Sequence, residues 1–248
     1  MTYRTFWLFV SSYALLFFMI IGTLEKLTTR LRTNVEQASG IDFLMYPMVW
    51  QTISWLGSWL FLFLGMLIIL LVTNEIECQT FRQHIIDGIS HTQYIIAKYM
   101  VIVCLCIYAT GVMVILCMIY GNTSPSMPDG SWIYAVSYMF AFCLQGVGFL
   151  SITFLFAIWF KRSLIATVVL SIWGSVIEPF IGWFLNNAVG YDISSWLPFH
   201  VISGIILCPF QLTNIELSLP QFNMLLCTMV YICIMIFAIW MKIRYSDQ

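Results

Sequence analysis

Long uninterrupted apolar runs constrain this chain more than any other feature. Trp7 to Leu24, Gln51 to Thr73, Ile95 to Tyr120, Trp132 to Phe160, Ser163 to Leu185 and Phe222 to Met241 are each long enough to cross a bilayer as a helix. Lipid offers the backbone no hydrogen-bond partner, so runs of this kind fold as helices that satisfy themselves. Of the 248 residues, 61% are hydrophobic and 8% charged, where a soluble domain carries about 25% charge. The expectation is an all-α integral membrane protein of six transmembrane helices, with residues 1–248 forming a single transmembrane domain. Arg4 ahead of the first run imitates a secretory signal, but no small-residue cleavage pattern follows it, so that run is expected to be retained.

Six spans place both termini on one side. Arg4, Arg82, Lys98, Lys161, Arg162, Lys242 and Arg244 fall on that side, seven of the ten basic residues, and Lys26, Arg30 and Arg32 on the other. Basic residues mark the cytoplasmic face, so both termini are expected there. Trp50, Trp132 and Trp183 fall at outer ends and Trp7, Trp159 and Trp240 at inner ends, as an aromatic belt would place them. Glu25 to Trp50 reads as a polar outer loop with room for a short helix. Gly121 to Ser131, with Pro125, Pro128 and Asp129-Gly130, reads as turns. Lys161-Arg162 ends the fourth span sharply, and Asn186 to Gln221 makes a long outer loop.

The longest polar interruption on the cytoplasmic side is Asn74 to Lys98. Glu75 and Glu77 open it, and Phe81, Ile85 and Ile89 then recur every four residues beside Ile86. Arg82, Gln83, Asp87 and Ser90 fall elsewhere around the turn, which is the pattern of a short amphipathic helix. Gly88 and Ser90 supply breaker chemistry near its end. Such a helix lies on the membrane surface, docks in the groove of a partner, or simply joins two spans.

A second constellation lies toward the outside. Glu178-Pro179 is the one acid–proline pair well inside a predicted span, about seven residues or roughly 10 Å of helix from its outer end. An intramembrane acid lines a substrate or proton path by default; alternatively, Pro179 breaks the helix and Glu178 faces a wet vestibule. Further on, Ser195-Trp196-Leu197-Pro198-Phe199-His200 leads into Val201 to Cys208, a run too short to span, stopped by Pro209. It suits a re-entrant or interfacial piece, with His200 as a loop or capping residue. Ser54 with Ser58, and Ser171 with Ser175, make small faces on the second and fifth spans, and Gly146 and Gly148 permit close approach on the fourth.

Other chemistries find little support. The eight cysteines sit mostly inside apolar runs, with no Cys-x-x-Cys pair, and read as small buried hydrophobes. His84 and His91 lack the acid or thiol that would complete a metal site. Asn122-Thr123-Ser124 fits the glycosylation pattern by chance. A net charge of −1 gives no argument for a nucleic-acid partner. There is no phosphate-binding Gly-x4-Gly-Lys-Ser/Thr loop, and no repeat relates the first three spans to the last three.

Two acids at the end of a span, a short helix, a Gly/Ser break and Lys98 opening the next span resemble the coupling region of type-2 ABC exporter permeases, the ABC-2 membrane family. The Leu197-Pro198-Phe199-His200 turn resembles an outer loop of several of its members. Length and compactness look most like the permeases of lantibiotic-type immunity and multidrug export. The resemblance implies a cytoplasmic coupling helix after the second span and a re-entrant outer segment between the fifth and sixth. It implies an ABC ATPase dimer as partner, which binds the ATP and Mg, so that this chain carries no cofactor. A second permease copy or a paralogue would complete the pathway in the lipid bilayer of a bacterial cytoplasmic membrane. Glu75, Glu77, Phe81, Arg82, Ile85 and Asp87 would meet the ATPase, while Glu178, Pro179, Pro198 and His200 would belong to an outer cavity or the re-entrant piece. The family has a longer basic amphipathic helix before its first span, where this sequence has Met1 to Phe6. The cargo would be an amphipathic peptide, drug or lipid moved outward by alternating access. Two other classes compete: an intramembrane enzyme akin to the CAAX proteases, and a membrane scaffold or sensor that transports nothing.

Overall fold

A computed structural model of the chain describes residues 2–34, 44, 48–77, 90–121, 131–189, 194–209 and 220–246. Among these residues the fold is all helix, with no strand, and six helical stretches are long and apolar enough to cross a membrane. They run α1 (Thr2–Asn34), α2 (Met48–Trp59) continued by α3 (Phe61–Glu77), α4 (His91–Tyr120) and α5 (Ser131–Phe160). A fifth stretch joins α6 (Ser163–Ile172) through a π-helical turn, Trp173–Ile177, to α7 (Glu178–Val189). After the short α8 (Pro198–Ser203), α9 (Phe222–Ser246) makes the sixth.

Three of these depart from the boundaries that apolar runs suggest. The helix α1 runs on to Asn34, through a stretch expected to be loop, because neither glycine nor proline stands between Leu24 and Asn34 to stop it. The second stretch breaks at Leu60, whose N–H bonds the Gly57 carbonyl at 3.0 Å, one residue tighter than an α-turn. The fifth does not break at Pro179: the π-turn ahead of it rearranges the backbone ladder around a residue that has no N–H, and α7 carries on to Val189.

The centre of the bundle is α5, which packs against α2, α3, α4, α6, α8 and α9. In its most apolar stretch 78% of residues are buried within the protein, against 17% for the first, fifth and sixth stretches. Small residues explain the position. A Cβ added at Gly146 would lie 2.7 Å from the Phe61 ring and 3.0 Å from the Cys106 sulfur. Such close approach is how helices gain packing where lipid is as apolar as any side chain. Ser151 and Thr153 donate to the Val147 and Leu150 carbonyls, each at 2.7 Å, so their burial leaves the hydroxyls satisfied. The outer helices bury one stripe each: Tyr13, Phe17 and Ile21 on α1, and Ile232, Met235, Ile239 and Ile243 on α9.

Candidate functional site

Two carboxylates, one near the end of α3 and one inside the fifth stretch, organise the polar chemistry. Glu75 lies near the C-terminus of α3. Ser90 begins α4 with a capping box: its Oγ accepts the Gln93 N–H at 3.3 Å, and Gln93 Oε1 accepts the Ser90 N–H at 2.9 Å. With the helix start fixed, Tyr94 and Lys98 stand one turn apart on the face toward α3. Lys98 Nζ pairs with Glu75 Oε1, and the Tyr94 hydroxyl donates to Oε2 at 3.1 Å. The ammonium also sits 5.4 Å from the Tyr94 ring centre. Both carboxylate oxygens are therefore engaged, and the ends of α3 and α4 are tied together. Phe6 of α1, Val72, Val101 and Ile102 enclose a cleft of about 290 Å³ beside the pair. Glu77, one turn end further on, is exposed. Phe81, Arg82, Ile85 and Asp87, with the amphipathic segment they belong to, lie outside the described residues.

Glu178 is the first residue of α7 and is buried, 4% exposed. Its Oε1 accepts the backbone N–H of His200 at 2.8 Å. Pro198 opens α8 at the position where a missing N–H costs nothing, which leaves the His200 N–H as one of the unpaired donors of a helix start. The carboxylate of one element thus caps a helix of another. The Phe199 N–H and the Trp173 indole also face this carboxyl, but Oε2 has no partner at hydrogen-bond geometry.

Other contacts hold the same segment. Asn186 Nδ2 donates to Ser194 Oγ at 3.0 Å while its Oδ1 accepts the Ser194 N–H at 3.1 Å. The Tyr231 hydroxyl of α9 donates to the Trp196 carbonyl. The Phe199 ring meets Phe149 edge-on at 5.7 Å and lies over Gly174, while Ile202 packs against Gly148 near the middle of α5.

Of the outer residues expected from the sequence, the structure brings Glu178, Pro179 and His200 to one open cleft of about 420 Å³, and Pro198 opens the helix beside it. The contact between Glu178 and His200 runs through the backbone of His200, whose side chain is exposed. Asn186, Ser194 and Tyr231 were not anticipated; the pairing of an Asn with a Ser eight residues on is a loop-closing signal the sequence does carry. Ser58, Ser171 and Ser175 face a second cavity of about 200 Å³ among α2, α3, α5, α6 and α8, which shares Gly174, Phe199 and Ser203 with the Glu178 cleft and lies beside Gln145, whose buried Oε1 has no partner. Among the described residues the cysteines are free, and no group of three His, Cys, Asp or Glu side chains is placed to hold a metal. No protein-family model, no curated protein and no solved structure matches this chain.

Proposed function

We propose that this chain is the membrane permease subunit of an ATP-driven ABC-2 type exporter, with the Glu75 end of the bundle in the cytoplasm. The observation that carries the proposal is the Glu75–Lys98–Tyr94 junction. Residues 78–89 are strung between two helix ends that are bound to each other, so a push on that segment moves α3 and α4 as a pair. Force from an ATPase would reach the bundle centre directly, because α5 packs against both helices. Glu75 is engaged within the chain, which leaves exposed Glu77, with Phe81, Arg82, Ile85 and Asp87, to meet the basic groups and groove of the ATPase.

Away from that junction, α8 lies beside the middle of α5 and its chain turns back toward the start of α2, where Gln51 Nε2 donates to the Leu207 carbonyl at 3.1 Å. In a bilayer this segment would be re-entrant from outside. ATP and Mg are held by a separate ATPase dimer, and a second permease copy or a paralogue completes the pathway for an amphipathic cargo. The membrane is a bacterial cytoplasmic membrane.

Affinity purification in mild detergent, read by mass spectrometry, tests this. An ABC ATPase is expected in near-equal amount with the wild-type chain and is expected to be lost on Phe81→Asp, while membrane insertion survives. A chain that purifies without an ATPase, under conditions where a known exporter keeps its own, removes the exporter assignment.

A further inference from the structure

Among the described residues the Glu178 cleft is short of positive charge. A carboxyl group taken out of water either holds its proton or takes a counter-charge, and a cation brought beside it favours the second. Among the described residues Glu178 makes no ion pair, and neither lysine nor arginine lines its cleft. The ionisable neighbours are His200 of α8, which meets it through the backbone, and Tyr231 of α9, which is occupied with the Trp196 carbonyl. Two aromatic side chains, Trp183 and Phe199, line the same cleft. Ring faces attract organic cations within about 6 Å and recognise ammonium groups in particular.

We propose that this cleft is a binding site for an organic ammonium group, held between the charge of Glu178 and the rings of Trp183 and Phe199. With the His200 N–H on Oε1 and the Phe199 N–H and Trp173 indole facing the carboxyl, Oε2 still has no partner at hydrogen-bond geometry, and no cation among the described residues offsets a charge there. In surroundings of low dielectric that charge acts over several ångströms, so the cation is held without displacing the His200 N–H. A metal ion fits less well. A hard cation gathers six or more oxygen ligands, and among the described residues this cleft offers one carboxylate. The site is independent of the exporter proposal, because binding is measured on the chain alone.

The test uses the full chain in nanodiscs of phosphatidylglycerol, whose headgroup has no ammonium. Choline and its uncharged isostere 3,3-dimethylbutan-1-ol are titrated and binding is read by saturation-transfer NMR. Choline is expected to bind at least about tenfold more tightly than the isostere, the margin that charge and ring faces together supply. Glu178→Gln keeps an acceptor for the His200 N–H and removes the charge. It is expected to weaken choline about tenfold and leave the isostere unchanged. Trp183→Leu, at a side chain 62% exposed and outside the core, is expected to weaken choline about threefold, and decides the matter should Glu178→Gln fail to fold. Equal binding of the two probes, or choline binding untouched by the variants that fold, overturns the proposal. In phosphatidylcholine nanodiscs, loss of choline binding assigns the site to a lipid headgroup, and retention assigns it to a cation from solution; either keeps the ammonium site.

Discussion

Glu75 and Glu178 are both carboxylates that bind one membrane helix to its neighbour, and they do it by opposite means. Glu75 meets a lysine and a tyrosine, so both oxygens and the charge are satisfied by side chains. Glu178 meets a backbone N–H through one oxygen and, among the described residues, no cation. The first arrangement is a closed electrostatic junction that stiffens two helix ends. The second is a helix cap with charge left over, the condition for binding something else or for letting go.

Removing each charge while keeping the shape separates the two carboxylates most strongly. At Glu178, Gln keeps an acceptor for the His200 N–H and removes a buried charge that no cation among the described residues offsets. Glu178→Gln is therefore expected to melt in detergent no lower than wild type, and Glu178→Ala to lose about 1–3 kcal/mol relative to Glu178→Gln, the cost of an unpaired buried N–H. A Gln variant as damaged as the Ala variant would show that the charge itself holds α8 in place. At Glu75 the expectation reverses. Glu75→Gln is expected to destabilise by about 1 kcal/mol, since it strands the Lys98 ammonium. A double-mutant cycle of Glu75→Gln with Lys98→Met is expected to return a coupling of about 1 kcal/mol, whereas a coupling of zero would dissolve the junction.

Two smaller effects refine the picture. Tyr231→Phe removes the donor to the Trp196 carbonyl, and a loss of about 0.5 kcal/mol in thermal stability is expected at this exposed bond. An unchanged melt would mean that Glu178 and Asn186 hold the segment around α8 alone. Raising ionic strength is expected to shrink the Glu75–Lys98 coupling, which is partly open to solvent, and to leave the gap between Glu178→Gln and Glu178→Ala unchanged. A salt effect of equal size at both ends would mean that the Glu178 bond is as open as the Glu75 pair.

The bundle was legible because lipid leaves the backbone so few choices: all six stretches are found, and their ends differ by a few residues except where α1 runs on. The irregularities were partly legible. Pro179 announces a fault in the ladder, but the backbone absorbs it as a π-turn ahead of the proline rather than as a break. The break at Leu60 has only Gly57 nearby to suggest it. Ser90 and Gln93 stand at capping-box spacing, a start signal for α4, where the sequence alone suggested only a breaker. The sites were harder, because both rest on pairings that sequence spacing does not specify. Glu75 and Lys98 are 23 residues apart, and the partner of Glu178 is a backbone group 22 residues away. A side-chain inventory cannot reveal an N–H that becomes free only when Pro198 opens a helix.

The place of α5 at the centre also bears on how the protein is made. Chains emerge N-terminus first, so the first three spans enter the bilayer before the helix on which α2, α3 and α4 pack most extensively. Until Ser131 to Phe160 is synthesised, the Gly146 groove that receives Phe61 does not exist, and that ring faces lipid or another early span. Assembly is then a late event set by the fourth insertion. A substitution that delays or misplaces α5 would leave three correctly inserted helices without a bundle, and it would read as failed biogenesis before any loss of activity could be measured.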